Sequence, residues 1–152
     1  YCRCMTHQPL SVAVQRLDPD LPLPATARNG DAGVDLYARE NATIAAKGGR
    51  ILMPTGLAIA IPLGFAGFVV PRSGLALKHG ITLVNTPGII DSGYRGELKV
   101  VMINTDPTVD YVVTRGDRIA QLLIQRIETI EWNVVDNLDG EDRGGGFGHS
   151  GR

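Results

Sequence analysis

Cysteine is almost absent. The chain of 152 residues holds two, Cys2 and Cys4, both ahead of Met5, so no disulfide and no thiolate metal site can brace the chain beyond that methionine. A centre built from Cys2, Cys4 and His7 would lack the second ligand cluster of a structural zinc site. A basic excess is missing too. The formal net charge of −1 offers no broad positive face to a nucleic acid, so any phosphate chemistry is confined to a pocket. No apolar run approaches the ~18 residues of a membrane span, and the first ~30 residues lack a hydrophobic signal core. The expected location is the cytoplasm, and the expected partner is a small molecule, neither nucleic acid nor membrane. His7, His79 and His149 are scattered, and there is no Ser-His-Asp set, histidine cluster or paired cysteine to read as a catalytic or metal constellation.

What the chain does have is turn chemistry and short apolar runs. Its 19 glycines and 9 prolines punctuate strand-like segments: SVAVQRL (11–17), VDLYA (34–38), RILMPTG (50–56), LAIAIP (57–62), FAGFVV (65–70), ITLVN (81–85), ELKVVMIN (97–104), YVVT (111–114), RIAQLLIQRI (118–127) and WNVV (132–135). Runs rich in valine and isoleucine, recurring about every ten residues, belong to a sandwich, jelly roll or barrel. One helix is expected, over SGLALKHG (73–80), with Ser73 as its cap and Gly80 as its stop. A single domain of this size buries roughly 70% of its unfolded surface. Residues 1–9 read as an extension, the part before Met5 being a candidate start-site artefact. Residues 10–135 read as the β domain, and 136–152, acidic and then glycyl, as a C-terminal arm with no apolar period to hold it on the core.

Three stretches carry chemistry. In PRSGLA (71–76), Arg72 and Ser73 stand before Gly74 at the start of the expected helix, where backbone N–H groups, a hydroxyl and a guanidinium together suit an anion; as plain structure it is a capped helix with a surface arginine. In NTPGIIDSGYRGELKV (85–100), Asp91 and Tyr94 lie in a connection punctuated by Gly88 and Gly93, small enough for a ligand to approach the backbone; taken alone, DSGY is a turn with a solvated aspartate. RGDRIAQLLI (115–124) places Arg118 and Gln121 among apolar residues, and inward-facing polar side chains there need partners.

Together and in this order, AGVDLYA (32–38), PRSGLALKHGI (71–81), GIIDSGYRGE (88–97), RGDRIAQLLI (115–124) and RGGGFGHSG (143–151) resemble the motifs of the trimeric dUTPases. The resemblance runs from about Leu10 to the end. It implies an all-β, distorted jelly roll of the β-clip type, with one short helix and a flexible C-terminal arm. It implies hydrolysis of dUTP to dUMP and pyrophosphate, with Mg2+ held mainly by the phosphates and water. Asp91 matches the general base that deprotonates the water attacking the α-phosphorus. Tyr94 matches the aromatic residue beneath the deoxyribose that leaves no room for a 2′-hydroxyl. Asn85 and the 85–101 hairpin match the uracil-reading element, with Gly88, Ile90, Lys99 and Met102 along the same element expected to line the substrate. Arg72, Ser73 and Gly74 match the phosphate turn, Gln121 a contact to the α- or β-phosphate, and Asp35 an acid of the metal's outer water shell. In the arm, Arg143 corresponds to a γ-phosphate contact, Phe147 to a uracil-stacking ring, and Gly148 and Ser150 to groups closing on the phosphates; Asp91, Gln121 and Arg143 form the expected catalytic set. The family's homotrimers build each site from all three subunits.

Two other readings are weaker. The deoxycytidine triphosphate deaminases share the fold and the phosphate turn, but place a glutamate ten residues beyond the motif-three acid, where this chain has Val101. A valine relays no proton. A non-catalytic relative would be expected to have lost the base, the phosphate arginine or the arm, yet Asp91, Arg72, Gln121 and Arg143 are all in place. The arm departs from the family pattern in one respect: only Gly144, Gly145 and Gly146 separate Arg143 from Phe147, one residue fewer than usual. Truncation after Val135 is expected to remove most of the dUTPase activity while leaving the assembly folded, measured as pyrophosphate release and by gel filtration; an unchanged rate would remove the arm from the reaction.

Overall fold

The computed structural model describes residues 9–142. Its elements are β1 (Ala13–Arg16), β2 (Val34–Tyr37), β3 (Ala42–Ile44), β4 (Arg50–Ala60), β5 (Phe65–Pro71), α1 (Ser73–His79), β6 (Ile81–Leu83), β7 (Gly88–Ile90), β8 (Glu97–Asn104), β9 (Tyr111–Val113) and β10 (Arg118–Arg126). The strands form two four-stranded antiparallel sheets, ordered β1-β4-β8-β6 and β2-β10-β5-β7, with β3 and β9 as a separate pair. This is the expected all-β, jelly-roll-like architecture.

Alternation sets the layers. Along β8, Leu98, Val100, Met102 and Asn104 point inward, while Lys99, Val101 and Ile103 point out, the period-2 pattern of a strand with one face on the core. Leu98, Val100 and Met102 join Leu36, Ile44, Met53, Ile81, Val113, Ile119 and Leu122 in one apolar cluster. Gly67 lets the edge strand β7 come close: a Cβ there would lie 3.0 Å from Ile61, 3.1 Å from Leu122 and 3.2 Å from Ile90.

Several expected elements differ. The runs 50–56 and 57–62 are a single strand, β4, because Gly56 at φ +72° is absorbed in a bulge where the register against β8 shifts between Pro54 and Ala58, a conformation open to glycine. The three-residue strands β3 and β7 lie where the sequence shows only turns. Residues 132–135 form no strand; Trp132 and Val134 are 84% and 93% exposed, since an apolar run becomes a strand only when an edge is there to pair with it. Among the described residues regular structure ends at Arg126, ahead of the expected limit near Val135. Helix α1 stops at Gly80, whose φ of 63° and N–H bonds to Ala76 and Leu75 carbonyls close the last turn. Ser73 is not its cap: Arg72 takes that position in extended conformation, with no side-chain bond.

An ionic cluster closes the bulge. The Gly56 carbonyl accepts from the N–H groups of Leu17 and Asp18 at 2.8 and 3.2 Å, and the Gly56 N–H donates to Glu97 Oε1 at 2.9 Å. Glu97 also pairs with Arg39 at 3.2 Å, and Arg39 lies 3.6 Å from Asp18. Both Asp18 oxygens accept from the guanidinium of Arg115, and these bonds bring the carboxyl from the ordinary 3.8 down to about 2, against the opposing effect of desolvation. A depressed carboxyl contributes stability that is complete above its unfolded value and lost as pH falls through its folded value. The stability difference between the wild type and Asp18→Asn is therefore expected to be constant above pH ~5 and to shrink steadily as pH falls to ~2, as read by urea unfolding across that range; a difference that grows on acidification contradicts it.

Candidate active site

Strand β10 gathers one half of the site. On one edge Gln121 stands directly opposite Asp35 of β2; on the other, Gln121 is opposite Val70 and Ala120 opposite Pro71 of β5. Arg72 follows Pro71 and reaches back across β10. Its Nε donates to Asp35 Oδ1 at 3.1 Å, while Arg118 Nη1 donates to Oδ2 at 3.3 Å and Gln121 Nε2 lies 3.5 Å from Oδ1. Asp35 is 5% exposed; both its oxygens are engaged, while the side chains of Arg72 and Arg118 stay partly exposed. An arginine held by a buried carboxylate is pre-oriented, so little side-chain freedom remains to be lost when an anion arrives.

Ser73 and Gly74 are exposed beside this group, and a Cβ on Gly74 would meet nothing within 4 Å, which leaves the backbone of the turn open to a ligand. In the sequence Arg118 stands out only as a polar residue in need of a partner; that partner is Asp35, which makes Arg118 a fourth member of the group.

The other half sits at β7. Gly88 is opposite Val69 and Ile90 opposite Gly67, so the strand runs down the edge of β5 and delivers Asp91 just past its end. Asp91 is exposed, and its carbonyl accepts the Tyr94 N–H at 3.0 Å to close a turn. Ile90 packs partly into the core. At Gly88 the close approach is internal, with Asn85 Nδ2 3.4 Å from a Cβ placed there, whereas Gly93 is open on all sides. Lys99 is exposed on the outer face of β8, in the other sheet. Met102, expected to line the substrate, is fully buried between Ile51 and Leu83 in the register of its sheet; its side chain packs the core because position 102 falls on the inward phase of β8. Arg143, Phe147, Gly148 and Ser150 lie outside the described residues.

The two halves do not meet within one chain. Asp91 leaves the sheet near Gly67 and Arg72 leaves it after Pro71, at opposite ends of β5, about 15–20 Å apart at ~3.3 Å per residue. Arg72 also turns towards β2, away from the β7 edge.

The dUTPase family model matches residues 20–151. The chain belongs to the dUTPase family. It is 52% identical to the deoxyuridine 5′-triphosphate nucleotidohydrolase of Corynebacterium diphtheriae, over 95% of both chains. The Mycobacterium marinum protein of that name is 56% identical over 93% of this chain and 95% of its own. Among solved structures, a mutant dUTPase of Staphylococcus bacteriophage 80alpha with dUpNHpp superposes with a TM-score of 0.84 at 25% identity, covering 93% of this chain and 98% of that one. A mutant dUTPase from phage phi11 of S. aureus, described with a structural Mg(II) ion, has the same fold at 24% identity, with a TM-score of 0.79 over 86% of this chain and all of the other. Within this dUTPase, Asp35 of β2 holds Arg118 and Gln121 of β10 and Arg72 just beyond β5. Asp35→Ala is expected to cost about 1–3 kcal/mol of stability and to weaken nucleotide binding about tenfold or more through the loosened Arg72 and Arg118, as read by urea unfolding and titration calorimetry.

Proposed function

We infer that this chain hydrolyses dUTP to dUMP and pyrophosphate, keeping uracil out of DNA and supplying dUMP for thymidylate synthesis. The observation that carries the reading is the pairing of an open carboxylate at Asp91, on a turn with Tyr94, with an anion group at Arg72, Ser73, Gly74 and Gln121, in a chain more than half identical to deoxyuridine 5′-triphosphate nucleotidohydrolases. Asp91 holds a water in line with the α-phosphorus and takes its proton as the oxygen attacks. The new P–O bond forms as the bond to the bridging oxygen breaks, and pyrophosphate leaves. Arg72 and Arg118 neutralise the phosphates, Ser73 and Gln121 donate hydrogen bonds to them, and Tyr94 lies under the sugar. Asn85 and the backbone of residues 85–101 read the uracil edge, with Gly88 and Ile90 on β7 and Lys99 on β8.

Magnesium goes with this reading. No group of three His, Cys, Asp or Glu able to hold a metal occurs among the described residues, and both Asp35 oxygens are already bonded to arginines. That donor set suits an ion carried by the triphosphate and its waters, to which Asp35 would contribute only through water. Bound there, Mg2+ would spread the charge that develops on the phosphates.

The separation of Asp91 from Arg72 supports sites shared between subunits of a homotrimer, with residues 136–152 as the arm that carries Arg143, Phe147, Gly148 and Ser150 over the nucleotide. Among the described residues no helix is long and apolar enough to cross a membrane, and the reading takes the cytoplasm as the site of the reaction. The deaminase alternative puts Val101, half-buried on β8, where its glutamate would stand.

The test is pyrophosphate release from dUTP, dCTP and UTP with Mg2+; ammonia from dCTP, or no pyrophosphate from dUTP, defeats the reading. Asp91→Asn is expected to keep nucleotide affinity and to lose about 10²–10⁴ in kcat. Unfolding and refolding Asp91→Asn together with Arg72→Ala is expected to restore part of the activity, because mixed assemblies contain sites with both residues intact. No recovery from the mixture places both residues in one chain's site.

A further inference from the structure

The phenol of Tyr94 is held at its tip. Its hydroxyl donates to the carbonyl of Glu97 at 2.8 Å, while its own N–H is tied to Asp91, so the ring is fixed at both ends. Beneath it lies Gly96. A Cβ built on Gly96 would stand 2.6 Å from the Tyr94 oxygen, 2.8 Å from Cζ and 3.3 Å from Cε2; the phenol occupies the space that any other residue would fill. The backbone of Gly96 is not among the left-handed glycines of the chain, so conformation alone does not call for glycine here. The ring does.

The carbonyl that receives the hydroxyl is itself braced. Glu97 opens β8, its side chain is 15% exposed, and its carboxylate accepts from the Gly56 N–H and pairs with Arg39. Arg95 knits the preceding turn by donating to the carbonyls of Ser92 and Tyr94 at 2.6 and 2.7 Å. Tyr94 remains 43% exposed, which leaves ring surface for a ligand while the tip stays tethered.

We propose that Gly96 and the Glu97 carbonyl are positioning elements for Tyr94, holding its ring so that it cannot retreat from a ribose 2′-hydroxyl, and so set the preference for deoxyribose. The proposal rests on the reading of Tyr94 as the surface under the sugar. A ring held only by χ1 packing can rotate to another staggered well and admit the extra oxygen; one bonded at its tip loses that bond on turning.

The experiment measures kcat/KM for dUTP and UTP, with Mg2+, on the full chain. Tyr94→Phe removes the tether and keeps the ring; Gly96→Ala pushes the phenol off its seat. Each is expected to raise kcat/KM for UTP about tenfold, a gain that damage to the fold does not produce. The double variant is expected to gain no more than Gly96→Ala, since both changes break one contact. Unchanged UTP turnover in Tyr94→Phe, or parallel losses for both nucleotides in Gly96→Ala, overturns the proposal, and Tyr94→Phe decides alone if Gly96→Ala does not fold. Tyr94→Ala separates the two levels. If it collapses selectivity while the positioning variants do not, only the tether falls; if it leaves selectivity intact, the sugar reading of Tyr94 falls with it.

Discussion

Strand β10 is hydrogen-bonded along both edges, to β2 and to β5, and the site depends on that double register. A slip of one residue on either side would turn Gln121 or Asp35 to the opposite face and separate Arg72 from the carboxylate that orients it. The register is fixed by apolar neighbours, because Ala120 and Leu122 flank Gln121 and both are buried. Packing thus decides where the polar group stands, and the polar group decides how the arginines point.

Asp35, Thr55 and Asn104 are the buried polar residues among those described. Thr55 donates to the Leu98 carbonyl at 2.8 Å. Asn104 donates to the carbonyls of Ile44 and Val109 and accepts from the Asp106 N–H, tying the end of β8 to β3 and the following turn. Each is satisfied internally, the condition under which a polar group in a core specifies rather than weakens it. Asp35 differs in what satisfies it: its ionic partners, Arg72 and Arg118, are themselves partly exposed.

Much of this was legible in the sequence. Period-2 alternation marked the long strands, and the Ser73–Gly80 helix followed from helix-favouring residues ended by glycine. Arg118 and Gln121, the β10 partners of Asp35, could be picked out as polar residues in apolar surroundings. Four kinds of feature could not be read. Strands β3 and β7 are too short to show a period and exist because an edge waits for them. The union of two runs into β4 turns on one glycine whose bulge is closed by Glu97, far away in sequence. Met102 was expected to line the substrate beside residues 85–101, but the phase of its strand sends it inward. The four residues of WNVV carried a strand pattern without an edge to satisfy it, and alternation cannot distinguish that from a paired strand.

The placement of Asp91 and Arg72 at opposite ends of β5 has a kinetic meaning. If the two complete a site only across a subunit boundary, a lone chain has no turnover to measure. At concentrations where the assembly comes apart, the rate then rises more steeply than in proportion to the amount of protein. Specific activity becomes a measure of association, and a titration by dilution reads the strength of the subunit interface in units of pyrophosphate.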